Sequence, residues 1–337
     1  MANQNVKPAR NPAIDFLKGL ACIGVVFNHV MFPGLFGVIV AFTSYFAVPI
    51  FFMITGFYAY QANDRTITRR LIKIFRITLF AMMIYSLYTL QHTIRYNKFS
   101  GGFTVWDIAE TALRFVFLSD CHFISANHLW YLVSLIEGYI ILLLIRRYNL
   151  FKAAYIYIPF SIIAHRIMST FFTPLWHLRA NVFLNGMCWI LTGHYIAENL
   201  QAVSRINKKV LIASAIAGYI SWIIVSLTCH KAFVFIANVV CFALAIVPVF
   251  ILPVRKGAQS VKYPSLIVKI GAEYSLYIYL YHMLMDYILS SFLYRLGIPS
   301  GTGIILWTRP VIVLLMSIAL SFVIVKARER MSRKNEG

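Results

Sequence analysis

The first apolar segment of the chain carries four residues able to do chemistry: Asp15, Lys18, Cys22 and His29. Lys18 and His29 are eleven positions apart, about three helical turns with roughly 20° left over. A helix there puts both on one face, about 16 Å apart along the axis. A fixed cation at one end of such a stripe suits a phosphate, and an imidazole at the other suits proton transfer near neutral pH. Taken singly, a Lys snorkelling to one interface and a His anchoring at the other explain both residues. Their shared stripe in an apolar segment, where ionisable groups are expensive, favours function.

Other groups fall in apolar stretches further along. His128 and Glu137 are nine positions apart, which puts them on opposite faces of a helix. His282 and Asp286 are one turn apart on one face, a spacing that either fixes a histidine tautomer or satisfies both groups structurally. Trp130 and Tyr131 beside His128 are of the type that anchors a helix at a membrane interface. Arg69, Arg70, Lys73 and Arg76 form a compact basic group suited to anionic lipid or to a phosphate-bearing ligand.

The elements that must position these residues follow from composition. Of 337 residues 60% are apolar and 12% charged, against roughly 45–50% and 25% in a soluble domain. The chain therefore reads as an all-α integral membrane protein, a bundle of about ten transmembrane helices with no soluble domain over 1–337. A hydrocarbon core of about 30 Å needs about 20 apolar residues per helix. Spans fall at approximately 12–32, 38–60, 71–91, 128–147, 151–169, 180–198, 208–227, 232–252, 270–294 and 303–325. With the N-terminus inside, 23 of the 31 Lys and Arg residues occupy inner segments, among them Lys7, Arg10, Lys18, the Arg65–Arg76 cluster and Lys256. The positive-inside rule then makes both termini cytoplasmic. That placement accounts for the net charge of +20 without nucleic acid as a partner. The first run lacks a small-residue cleavage site and is followed at once by a second span, so it is expected to stay as a mature helix.

Between the third and fourth spans, Asp107, Glu110 and Arg114 recur at helical spacing while Val105, Ile108, Leu113 and Val116 point elsewhere. An amphipathic helix on the outer surface is expected, with Thr104 and Asp107 resembling a capping box. The five cysteines show no metal spacing and read as free thiols, with a Cys121–Cys229 disulfide as an open alternative. Nucleotide-binding, hydrolase-elbow and zinc motifs are missing, which disfavours ATP-driven transport and zinc hydrolysis, and no metal site is expected.

Several separated segments resemble bacterial integral-membrane O-acyltransferases of acyltransferase family 3. Asp15-Phe16-Leu17-Lys18-Gly19-Leu20 running to His29 is similar to that family's basic-x10-His signature. Val48-Pro49-Ile50-Phe51-Phe52-Met53-Ile54-Thr55-Gly56-Phe57 is similar to its VPxFFxxSGF stretch, with a basic cluster behind it. His128-Leu129-Trp130-Tyr131-Leu132 and the late Tyr277-to-His282 stretch resemble two more of its segments. Lys18 stands where the family often has Arg, and Thr55 where it usually has Ser.

The resemblance implies a ten-span enzyme of the bacterial cytoplasmic membrane. Acetyl-CoA would be its co-substrate, with no permanently bound cofactor. It would acetylate a hydroxyl of a cell-envelope glycan, such as an exported or capsular polysaccharide, that reaches it unlinked or linked to lipid. On this reading Lys18, Arg69, Arg70, Lys73 and Arg76 bind acyl-CoA and His29 is the general base. Glu137 and Asp286 are candidate orienting carboxylates, and Asp15, His128, Trp130, Tyr131 and His282 candidates for lining the acceptor path. The lipid bilayer, acyl-CoA and the glycan are the expected partners, and self-association is compatible with the sequence. The competing class is a proton-coupled transporter or flippase using His29, Glu137, His282 and Asp286 as a relay.

Overall fold

The structure, a computed structural model, describes residues 11–95, 105–172, 180–228, 231–255, 262–299, 301 and 303–334. Lys7, Arg10, Thr104, Cys229 and Lys256, which figured in the expectations above, lie outside them. Among the described residues the chain is helical with no strand.

Helix α1 (Pro12–His29) starts at a strong local signal. Asn11 accepts from the Ala13 and Ile14 amides at 3.0 and 3.4 Å, and Pro12 occupies the first turn, where its missing N–H costs nothing. It is followed by α2 (Gly34–Ser44), α3 (Ala47–Tyr60), the long α4 (Asp64–Arg95) and α5 (Val105–Leu118). Two 3-10 turns, His122–Ile124 and Asn127–Leu129, lead into α6 (Trp130–Arg147) and then α7 (Phe151–Phe171). A π-turn (Val182–Gly186) opens α8 (Met187–Glu198), followed by α9 (Leu200–Ser204), α10 (Lys208–Thr228) and α11 (Lys231–Val254). Short α12 (Ser265–Lys269) joins a second π-turn (Ile270–Tyr274) to α13 (Ser275–Arg295), and α14 (Gly303–Lys334) comes last.

Among the described residues five helical stretches are long and apolar enough to cross a membrane: Gly34–Tyr60, Asp64–Ile94, Asn127–Arg147, Lys208–Thr228 and Gly303–Arg333. Four of the other five expected spans coincide with helices that are shorter or more polar, and the fifth, 232–252, falls on α11. Helix α1 has 18 residues and carries Asp15, Lys18 and His29, and α8 has only 12 residues. Helix α7 carries His165 and Arg166, and α13 carries His282 and Asp286; in α11 the stretch Val239–Val254 is a shorter apolar helix among the described residues.

The expected second span is broken between α2 and α3 at Tyr45–Phe46. Pro49 then sits in the first turn of α3, where it breaks no intrahelical bond, rather than kinking a continuous helix. Helix α5 forms where the amphipathic pattern placed it, with Glu110 and Arg114 paired at 2.5 Å and Trp106, Ile108, Leu113 and Val116 exposed. Cys121 is a buried free thiol.

Helix α1 lies at the centre, against α2, α3, α11, α12, α13 and α14. Small residues set two of the tightest crossings. A Cβ on Gly56 would overlap the Ile190 carbonyl, and one on Gly193 the Met53 carbonyl, so α3 and α8 touch backbone to backbone. A Cβ on Gly271 would overlap the carbonyl of Asp15, which draws the second π-turn onto α1. Phe52, Met53, Leu132, Ile190 and Phe250 are fully buried around these crossings.

Candidate active site

The end of α1 meets the start of α6 and the middle of α13, and three histidines far apart in sequence converge there. Ring centres of His29 and His282 are 5.1 Å apart, those of His128 and His282 5.0 Å, and those of His29 and His128 6.2 Å. His128 and His282 are buried, whereas His29 is exposed on the side that faces a cavity. Despite the three imidazoles, no group of three metal-ligating side chains is arranged to hold an ion among the described residues.

Backbone carbonyls fix the two buried rings. His282 Nδ1 lies 2.8 Å from the Tyr279 carbonyl and 3.2 Å from that of Ile278. A carbonyl only accepts, so in the neutral ring Nδ1 holds the proton and Nε2 presents a lone pair. That Nε2 is buried and has no hydrogen-bond partner. His128 Nε2 lies 3.3 Å from the Leu280 carbonyl and by the same reasoning donates to it. Tyr85 reinforces this corner by donating to the Leu280 carbonyl at 2.9 Å and accepting from the Leu284 amide at 3.1 Å. The Tyr279 hydroxyl donates to the His128 carbonyl, which ties α13 to the start of α6.

The cavity in front of His29 has a volume of about 440 Å³. His29, His128 and Asn28 line it together with Trp130, Pro49 and Ala47. Its wall also includes residues that the sequence did not single out: His165, Arg166 and Ser169 of α7, Asn185 of the first π-turn, Trp222 and Ser226 of α10, and Phe242 of α11. Arg166 is buried, with its guanidinium carbon 3.6 Å from the ring centre of Phe242 and 6.0 Å from that of Trp222. A sequence signal existed, since His165 and Arg166 are adjacent ionisable residues in an apolar run.

The two carboxylates considered as partners of His29 are engaged elsewhere. Both oxygens of Asp286 accept from Arg309 at 2.7 Å, and Arg309 also donates to Ser290 at 3.0 Å. A bidentate guanidinium pair is a stronger claim on that carboxylate than a histidine one turn away. Glu137 accepts from Ser119 at 3.0 Å, with Ser134 hydrogen-bonded to the same hydroxyl at 2.8 Å. Tyr131 packs at steep angles against Phe52 and Tyr279, with ring centres 4.7 and 5.3 Å apart, and is not among the described residues lining the cavity.

At the other end of α1, Lys18 lies 3.4 Å from buried Asp15. That places Asp15 away from the cavity. Between Lys18 and His29 the stripe is closed by packing: Cys22 is buried, with its thiol directed at the Ser275 carbonyl, and Val26 is buried beside it. Of the basic residues on α4, Arg70 turns inward and donates to the Tyr58 carbonyl at 3.1 Å. Arg69, Lys73 and Arg76 are exposed, as are Phe75, Leu79 and Leu87 of the same helix. They face away from the bundle interior.

A family model described as an acyltransferase domain matches residues 11–326. No curated protein and no solved structure matches the chain.

Proposed function

Because the chain belongs to acyltransferase family 3, and so is an acyltransferase built on membrane helices, we propose that it is a ten-span O-acetyltransferase of the bacterial cytoplasmic membrane. It moves an acetyl group from cytoplasmic acetyl-CoA to a hydroxyl of an envelope glycan. The observation that carries the reading is the placement of His29: exposed to a cavity on one side, backed by the buried His282 on the other.

In the reaction, His29 removes the proton of the acceptor hydroxyl as its oxygen attacks the thioester carbonyl carbon. The carbon–sulfur bond breaks, and the proton passes from the imidazolium to the departing CoA thiolate. Products are the O-acetyl ester and free CoA. His282 supplies the orientation first sought in a carboxylate. A modest rotation of His29 brings its N–H to His282 Nε2, which turns the other nitrogen of His29 to the cavity as the base. Two neutral imidazoles joined by one hydrogen bond have ring centres about 5 Å apart when the nitrogens are about 2.9 Å apart, close to the spacing found. An unsatisfied buried acceptor at such a place calls for a functional partner.

On the donor side, Lys18 and Arg70 hold the nucleotide phosphates at the inner face, with both chain termini on that side. Arg69, Lys73 and Arg76 act on anionic lipid headgroups around the mouth. The packed stripe at Cys22 and Val26 opens when the pantetheine arm enters, so acetyl-CoA binding is coupled to a movement of α1 against α13.

The test follows the acetyl label. Protein reconstituted in liposomes is given radiolabelled acetyl-CoA and a bacterial envelope glycan fraction. Label recovered as an alkali-labile ester on glycan supports the transferase. Proton-coupled glycan flux with no label transfer would support the transporter instead.

A further inference from the structure

Acetyl transfer at His29 leaves the cavity residues of α7, α10 and α11 without a role, and their chemistry is specific. A guanidinium buried within a membrane helix is costly, and an apolar side chain would join α7 to the aromatic faces of α10 and α11 more cheaply. Arg166 nevertheless occupies that place, stacked on Phe242 with Trp222 beside it, and it lines the same cavity as His29. Stacking engages the face of a guanidinium and keeps its N–H groups in the plane of the fork, the geometry that matches the two oxygens of a carboxylate or phosphate. Arg166 is the one Lys or Arg among the described lining residues.

The rest of the wall fits a sugar. Phe42 and Tyr45 pack on Trp222 with ring centres 5.2 and 5.8 Å away, which gives an apolar face for a pyranose ring. Asn28 and Asn185 add polar amides to the wall, the Asn185 amide oxygen accepting from Trp189 at 3.2 Å. The volume is that of a small-molecule site, enough for a short glycan segment.

We propose that Arg166 is the specificity residue of the acceptor site and that the acceptor is an anionic glycan. A carboxylate or phosphate on the sugar is seated against the Phe242-stacked guanidinium, while a hydroxyl is presented to His29. The proposal rests on the transferase reading in that the acceptor uses this cavity.

The experiment measures binding of three probes of similar size to wild-type protein in nanodiscs: a glucuronic-acid oligosaccharide, a phosphorylated glucose oligosaccharide and the neutral glucose oligosaccharide. Wild type should prefer at least one anionic probe by about tenfold or more. Arg166→Gln should abolish the preference by weakening the anionic probe alone, and Arg166→Lys should restore part of it. Preference for one anion over the other identifies carboxylate or phosphate. Equal affinity for charged and neutral probes, no binding of any probe, or a preference that survives Arg166→Gln would overturn the proposal. Thermal melting of each variant reports separately on folding, and a collapsed Arg166→Gln leaves the wild-type and Lys comparisons to decide. Acetyl-CoA binding to wild type in the same nanodiscs tests the donor reading on its own. Loss of that reading with charge preference intact would mark an anionic-glycan transporter.

Discussion

His282 stands 5.1 Å from His29, ring centre to ring centre, with its Nδ1 held by backbone carbonyls and its buried Nε2 without a partner. The arrangement gives His29 an acceptor behind it and a cavity in front. His282→Ala should lower kcat by about 10²-fold, in line with the loss of a positioned acid–base partner, and change the KM for acetyl-CoA little. Steady-state kinetics on purified protein measure this. Unaltered kcat would remove His282 from the mechanism.

Asp286 is bound to Arg309 through both oxygens, so its role is predicted to be structural. Asp286→Asn should cost about 3 kcal/mol, at the low end for breaking a buried pair because the Arg309 side chain is 25% exposed. Combining it with Arg309→Leu should recover much of the melting temperature and leave kcat near wild type. A stable double variant with kcat reduced a hundredfold would return Asp286 to the catalytic machinery.

Arg70 turns into the bundle, whereas Arg69 and Arg76 face outward. Arg70→Ala should therefore raise the dissociation constant for acetyl-CoA by about tenfold, a little over 1 kcal/mol. Arg69→Ala and Arg76→Ala should change it by less than about threefold. Titration calorimetry in detergent distinguishes these outcomes, and equal effects at all three positions would place the phosphates on the outer face of α4.

Much of this architecture was legible in the sequence, and the parts that were not share a physical cause. Helical period put Lys18 and His29 on one face, and α1 forms over Pro12–His29 with Asn11 capping it. The 3.6-residue pattern also located α5, whose charged pair Glu110–Arg114 is one turn apart. Local periodicity says nothing of which helices meet. His29, His128 and His282 each stood out as ionisable groups in apolar runs, yet their convergence depends on the crossings around α1. Asp286 was assigned by its spacing to His282, and the competitor Arg309 lies 23 positions away on α14, beyond any helical pattern. Arg166 escaped notice for a similar reason: its aromatic partners Trp222 and Phe242 come from two other helices.

The backbone contact of α3 with α8 predicts a steep steric penalty. Gly56→Val should destabilise the protein by roughly 1–3 kcal/mol or more, since its branched side chain meets the Ile190 carbonyl rather than a movable side chain. A lowered melting midpoint in detergent is the expected result. An unchanged midpoint would mean that the two helices separate without cost.

Acetyl transfer as proposed depends most directly on His29. Wild-type protein and His29→Ala, both shown to be folded by melting in detergent, are incubated with acetyl-CoA and an envelope glycan extract, and free CoA thiol is followed. Wild type should release thiol only with acceptor present, and His29→Ala should lose about 10²–10⁴-fold of that rate, the range for a general base. Release by His29→Ala at the wild-type rate would contradict it.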